Sequence, residues 1–514
     1  MLNFLKQKLN TYKTLKENKI HNENEYETPS KLTGNLIDDT VTIREKANNS
    51  ADLIIRELDV SNIKVNVITV EGMTNTLAVG RFILDPLDKF QELPNTTAED
   101  IYNTLQKTSV VGGDLNTVGN IDDIYPLIMS GFAIILINGI NTGIAIGVQG
   151  FPHRSVSEPS GEMNIRGSRE GFIEPIRPNM SLLRRKVKSP DLCFEMIQIG
   201  EKGKTDVCIV YIQSVVSKKL LNEVRCRLSR VKVDMLLDSG YLQPFLESNS
   251  LNMFSDVGVT ERPDSLAAKL SEGRIGIMVD GTPFALVLPF LFVENFHSLD
   301  DYSHKPYYST FVRILKYCAF FITVFLPGLY VAIVNFHPQI LPYEFLFNVM
   351  SAEVNTHLPI VLEALIIHLI YEIMREAGLR LPRPIGHAVS IVGALVIGEA
   401  AVNAGIIAAP MIMIVALTAL SAFVISSLYE SISVLKFVFI LLGGIFGLYG
   451  IVLGMIVLLI QICALNNFGV PYFAPVSPFS YKGNRDVLIR ASWKTLGKNS
   501  ANIQEFEGSN RSER

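Results

Sequence analysis

Glu399 sits in the middle of a long apolar run, and Asn403 follows one helical turn later on the same face. A second apolar stretch, Thr356–Met374, is interrupted by Glu363, His368 and Glu372, with His357 near its start. A charge facing lipid at mid-depth costs about 2.5–3.5 kcal/mol on insertion scales, so such groups face the protein interior or water. The chemistry open to them is the attraction, passage or packing of ions. Val361, Leu362 and Leu365 lie among these polar positions. A helix with a thin polar stripe and an apolar middle suits a pore wall, where apolar side chains gate by dewetting. The alternative is an amphipathic helix lying in the membrane interface. The candidate pore-lining residues are therefore Val361, Leu362, Leu365, Glu363, His368, Glu399 and Asn403, with the first three as the constriction. Lone histidines here are more often packed than catalytic, and no chemistry is assigned to them.

Covalent chemistry has no support. No P-loop, GxSxG, HExxH or metal-spaced cluster is present, so no enzyme activity, cofactor or metal is expected. The 5 cysteines are scattered without a CxxC, which reads as buried free thiols in a reducing compartment. A net charge of −4 gives no reason to expect nucleic acid. The start of the chain has no apolar signal region, so the first half is expected to stay in the cytoplasm.

The elements that must position these groups fall into two solvents. The chain has 514 residues, 48% apolar and 19% charged, and its mean hydropathy is +0.29. These averages hide a change near Phe311. Beyond it come four apolar stretches, Val312–Val334, Thr356–Met374, Ile385–Leu428 and Phe437–Leu465. The third is long enough for two spans turning at Ala408-Ala409-Pro410, which makes about four to five spans in all. Pro327-Gly328 predicts a kink in the first. Basic residues place Arg313, Lys316, Arg375, Arg380 and Arg383 inside. The last stretch then exports a tail holding Lys482, Arg485, Arg490 and Lys494, which conflicts with the rule. Either the second or the last stretch is re-entrant, or the rule fails at this tail. Gly443, Gly447, Gly450 and Gly454 form a small-residue stripe suited to close helix packing, within the chain or between subunits.

Before Phe311 the pattern is α/β. Ile63–Val70 alternates like a strand, and Ala98–Thr108 reads as a helix. Gly131–Val148 has span length, but Asn138-Gly139 breaks it into a hairpin. Cys193–Ile199 and Asp206–Val215 read as buried strands, Ser217–Arg230 and Asp264–Glu272 as helices, and Arg274–Val279 with Phe284–Leu288 as a hairpin. No repeat is visible. The expected division is a disordered basic tail (1–48), two α/β subdomains (49–150 and 151–300), a helical membrane domain (301–480) and a C-terminal tail (481–514). Leu2, Phe4, Leu5 and Leu9 among the lysines of the first tail offer a weaker reading, a helix on anionic lipid.

The densest charged segment is Arg154–Lys188. Arg166-Gly167-Ser168-Arg169-Glu170-Gly171 could turn around an anion, though a charged inter-domain linker is the plainer reading. The block could serve a neighbouring subunit, a lipid headgroup or its own acidic residues. Its run RGSREGFIEPIRPNMSLLRR closely resembles the signature of the A subunits of GerA-family spore germinant receptors. Gly167, Arg169, Glu170, Gly171, Phe172, Glu174, Asn179, Leu182, Arg184 and Arg185 carry the match. Val279–Phe290, Arg383–Pro410 and Phe468–Phe479 also resemble that family. The resemblance implies a spore inner membrane protein, multi-pass, with its N-terminal region cytoplasmic. It implies a transporter-like B subunit that binds the nutrient and a lipoprotein C subunit as partners. It further implies a homo-oligomer, a pentamer, forming a ligand-gated cation channel. Arg166, Gly167, Arg169, Glu170, Asn179, Arg184 and Arg185 would then belong to an assembly and coupling module. A paralogous germination-amplifying subunit without its own nutrient is the near alternative. A secondary transporter using Glu399 is a remote one, because no inverted repeat is present.

Overall fold

The computed structural model describes residues 31–88, 90, 97–108, 115–150, 161–162, 164, 166–249, 252–354, 356–381, 398–481, 483–496, 502–503, 506 and 509. The weak lipid-binding helix expected near Leu2–Leu9 and the family block from Arg383 to residue 397 lie outside them.

The tail expected over 1–48 is structured at its end. Helix α1 (Leu36–Lys46) starts on the Asn35 cap and buries Leu36 and Ile43. Strands β1 (Leu53–Val60) and β2 (Ile63–Val70) follow, then α2 (Ala98–Thr108), β3 (Leu115–Val118), α3 (Ile121–Ile128), β4 (Phe132–Ile137) and β5 (Gly143–Gly147). They form an antiparallel sheet in the order β1-β2-β4-β5-β3. The apolar run over 131–148 is the expected hairpin, Phe132 pairing with Gly147. Its apolarity comes from burial on both faces. Ile134 and Leu136 meet Ile43, Ile121 and Ile124 on one side, while Ile135 and Ile137 meet Ile101 and Leu105 on the other.

A second unit repeats this plan. It runs α4 (Ile176–Lys186), β6 (Leu192–Ile199), β7 (Thr205–Ile212), α5 (Lys218–Ser229), β8 (Gly258–Thr260), α6 (Pro263–Ser271), β9 (Ile275–Val279) and β10 (Ala285–Leu288). Its sheet order, β6-β7-β9-β10-β8, is the first order again. Each unit opens with a helix, continues with a hairpin, sends its third strand to the far edge and closes with another hairpin. No sequence repeat announces this, because strand order is set by long-range pairing rather than by residue identity. The expected strand ending at Val215 stops at Ile212, before a turn closed by Val215 N–H on the Ile212 carbonyl.

The helical half starts at α7 (Pro306–Phe336), which runs through Pro327-Gly328 as one helix. It continues with α8 (Tyr343–Glu353), α9 (Ile360–Arg380), helical turns over 398–403 and α10 (Ala409–Val424). Helix α11 (Tyr429–Ala464) is not a single rod. Gly447 takes φ 62° and ψ −147°, and the chain reverses there. A Cβ on Gly450 would lie 2.4 Å from the Leu442 carbonyl oxygen. In a straight helix those residues stand about 12 Å apart along the axis. Gly454 packs on the Phe439 ring in the same way. The glycine stripe therefore serves contacts within the chain. A Cβ on Gly328 would stand 2.4 Å from the Phe439 carbonyl oxygen, so α7 and the first arm of α11 touch backbone to backbone.

The fold-back returns the tail to the α/β half. Strands β11 (Asn466–Asn467) and β12 (Val470–Pro471) follow directly. Tyr472 donates its hydroxyl to the Ser255 carbonyl at 3.0 Å and accepts the Phe292 N–H at 2.9 Å. Of the alternatives left open for the last stretch, the re-entrant one is the arrangement that would bring the tail to this contact. Cys193 and Cys208 are buried as expected, but Cys318 and Cys463 point outward from apolar helices.

Candidate functional site: two joints and a helical bundle

The basic block is a joint. Arg184, in the last turn of α4, is 1% exposed and forks onto Asp52 of the first unit. Its Nε donates to Oδ2 at 2.7 Å and its Nη2 to Oδ1 at 3.0 Å. Nη2 also reaches Ser50 Oγ at 3.2 Å, Nη1 donates to the Ser189 carbonyl at 3.0 Å, and Phe194 lies beneath the guanidinium. A buried pair held by this many bonds contributes register more than net stability. Arg177 pairs with Glu71 at 2.6 Å across the same joint. Next to it Gly72, at φ +75°, leaves only 3.1 Å for a Cβ before Ser181.

The other signature residues act locally. Asn179 is buried and closes on Ile173, accepting its N–H at 2.9 Å and donating to its carbonyl at 2.5 Å. Glu170 takes Arg185 at 3.1 Å and Lys186 at 3.0 Å. Gly167 has φ +125°, and the Arg166 amide donates to Asp300 at 3.2 Å. Arg166 and Arg169 lie at the surface. Residues 166–175 of the block carry no helix or strand, as in a linker, whereas Ile176–Lys186 is helical. Within the block Glu170 engages Arg185 and Lys186, while Arg177 and Arg184 are engaged by Glu71 and Asp52 of the first unit.

A second joint fastens the second unit to the helical half. Glu294 lies between Lys269 and Arg274 and accepts the Leu291 N–H at 2.9 Å. Burial pushes its carboxyl up, but Arg274 and Lys269 outweigh that and hold it well below the usual range. Arg313, in the second turn of α7, is 0% exposed. It donates to Asp301 at 2.9 Å and to Asp486 of the tail at 2.8 Å. Beside it His297 is half-buried, and its enclosed Nε2 has no partner among the described residues. Burial, then the positive charges of Arg313 and Lys269, keep that ring neutral. Asp52, Asp301, Glu294 and Asp486 carry no sequence signal, because each is defined by a partner far along the chain.

In the helical half the expected polar stripe points inward. Glu363 and His368 are 0% exposed. His368 donates Nδ1–H to the Ala364 carbonyl at 2.8 Å, an ordinary packed histidine. Val361 packs on Gly444, and Leu365 is partly buried in the same cluster. The outward face of α9 carries Leu362, Leu369 and Ile373 instead. Glu399 and Asn403 are exposed, so Glu399 is not an interior charge of the single chain. At the other end of α9, Glu372 takes both Lys436 and the Tyr429 hydroxyl.

Two antiparallel α/β units bolted to a bundle of apolar helices define an α/β protein with a membrane-type helical half. The segments 306–336 and 426–464 are long and apolar enough to cross a membrane by length and composition, with mean hydropathies of 2.1 and 2.5, and the second folds back at Gly447. The chain belongs to the Bacillus/Clostridium GerA spore germination protein family, whose model matches residues 41–501. It is 38% identical to spore germination protein KA of Bacillus subtilis (strain 168), over 92% of this chain and 87% of that one. It is 36% identical to the membrane protein YfkQ of the same organism, over 90% of each. The crystallised N-terminal domain of the A subunit of the Bacillus megaterium spore germinant receptor GerK3 is 31% identical. It covers 52% of this chain and 98% of that domain, with a TM-score of 0.42.

Proposed function

We propose that this chain is the A-type membrane subunit of a nutrient germinant receptor and oligomerises into a ligand-gated cation channel. Membership of the family, over nearly the whole chain, is the observation that carries the germination reading. Its partners would be a transporter-like B subunit, which binds the nutrient, and a lipoprotein C subunit. Residues 49–300 would form the cytosolic part and 301–480 the membrane part in the spore inner membrane. The return of the tail to the α/β half supports one side for both ends, and Arg485, Arg490 and Lys494 then obey the positive-inside rule.

In a symmetric ring the pore is lined by faces that a single chain leaves exposed. Leu362 is 47% exposed and continues into Leu369 and Ile373, which makes this the gating face. Glu399 and Asn403 remain candidate pore groups. Val361, Leu365, Glu363 and His368 support that wall from behind. Bilayer recording of the chain with its partners tests the reading. Nutrient should open a cation conductance, and Leu362→Ser should leak without nutrient while Leu365→Ser leaks less. Absence of conductance, alone and with partners, overturns the channel.

A further inference from the structure

Glu363 is enclosed at the end of the bundle farthest from the α/β units. One oxygen accepts the Ala408 N–H, where α10 begins, and the other, Oε2, has no donor among the described residues. What stands opposite is a second acid. The Glu353 carboxyl, at the end of α8, is in hydrogen-bond contact with the Glu363 carboxyl. Tyr330 of α7 donates its hydroxyl to Glu353 at 3.1 Å.

Among the described residues no Lys or Arg is paired with either acid. No Lys or Arg occurs from Asn335 to Leu358. His357 directs its Nδ1 to the Gly405 carbonyl at 3.2 Å. Helices α10 and α11 contribute Met411 and Ile440 to the surrounding cluster. Arg375 and Lys436 on the bundle are held by Glu372. Glu372 lies nine residues along α9, about 13 Å away along the helix axis. Two ionised carboxylates in contact, one enclosed and the other half-buried, with no cation beside them among the described residues, repel strongly. Among the described residues no group of three or more His, Cys, Asp or Glu is placed to hold a metal ion.

We propose that Glu353 and Glu363 form a proton-binding pair, holding one proton between them and so tying α8 to α9. The proton is bonded to one carboxyl oxygen and hydrogen-bonded to the other carboxyl. Its release to solvent leaves two carboxylates in contact and loosens α8 from α9. The pair is a titratable link, independent of whether the helical half conducts.

Infrared spectroscopy of the full chain in lipid vesicles tests this. The carbonyl stretch of a protonated carboxyl should be present at neutral pH, shift in D2O and disappear on alkaline titration. Glu363→Gln and Glu353→Gln should each abolish it, since either leaves an amide donor facing a single carboxylate. Glu353 is only half-buried, so its variant keeps the test available if the other does not fold. A wild-type chain without the band at neutral pH, or a band that survives in Glu353→Gln, overturns the proposal. So does a band that appears only after Na⁺ and K⁺ are removed, which would mark a metal-cation site.

Discussion

The α/β half and the far end of the helical half bury charge in opposite ways. In the first, each enclosed charge discussed above meets its opposite: Arg184 meets Asp52, Arg274 meets Glu294, and Arg313 meets Asp301 at the boundary. The near end of the helical half follows the same rule, Lys436 meeting Glu372, but at the far end Glu363 meets another acid. Opposite charges fix a geometry across a wide pH range, whereas like charges hold only while a proton stays between them. The molecule thus separates rigid joints from a titratable one. A receptor that relays a signal from soluble units to helices needs rigid joints along the relay and a soft point at its end.

The comparison is broken most severely at Arg184. Arg184→Ala leaves Asp52 buried and unpaired, at a cost of about 3–5 kcal/mol. Denaturant unfolding of the full chain, followed by circular dichroism, should show the loss in its first transition. The double variant Arg184→Met with Asp52→Leu should recover most of it, because no charge remains uncompensated. A double variant as damaged as the single one would mean that packing, not charge pairing, holds the units together.

Packing without charge is tested at Gly328. A leucine there must displace the Phe439 carbonyl, and overpacking of this kind costs about 1–3 kcal/mol. Gly328→Leu should make the helical half protease-sensitive while the α/β half keeps its resistance. Equal sensitivity in both halves would show that they unfold as one body.

The third test uses pH. His297 stays neutral in the folded chain because burial, Arg313 and Lys269 all disfavour its charge. The unfolded ring takes a proton below about pH 6.5, so stability falls as pH drops below that value, by up to about 1.4 kcal/mol per pH unit. Glu294 contributes in a lower window. Its stabilisation is complete above the unfolded value of about 4.3 and is lost as pH falls toward about 2. The unfolding midpoint should therefore decline between about pH 6.5 and 5, and His297→Phe should flatten that decline. An unchanged slope would place the acid sensitivity elsewhere.

How much of this was legible in the sequence follows the range of the interactions. The hairpin over 131–148 was readable because Asn138-Gly139 is a local signal. Helix α1 was missed because its segment is polar, and Asp39 spends its charge on the Thr33 hydroxyl and the Thr33 and Gly34 amides. The glycine spacing in α11 announced close packing, but the positive φ of Gly447 that turns a span into a hairpin has no spacing signature. Charged positions within the apolar stretches were readable as exceptions to their surroundings. Which way Glu363 and Glu399 face depends on contacts with α7, α8 and α10, and residue order does not encode these locally. The same holds for Asp52 and Arg184, which stand 132 residues apart.

The smallest expected effect sharpens the comparison most cleanly. Lys202 and Asp234 lie 2.6 Å apart, no farther than Arg184 and Asp52, but their side chains are 72% and 63% exposed. If short distance alone made an ion pair structural, Lys202→Ala would resemble Arg184→Ala. Water already solvates both partners here, salt screens them, and ordering two mobile side chains offsets the attraction. Lys202→Ala should leave the unfolding midpoint within experimental scatter, at low and high salt alike. A loss comparable to that of Arg184→Ala would mean that burial is not what separates the two kinds of pair. The contrast between rigid and titratable joints would then have to rest on geometry alone.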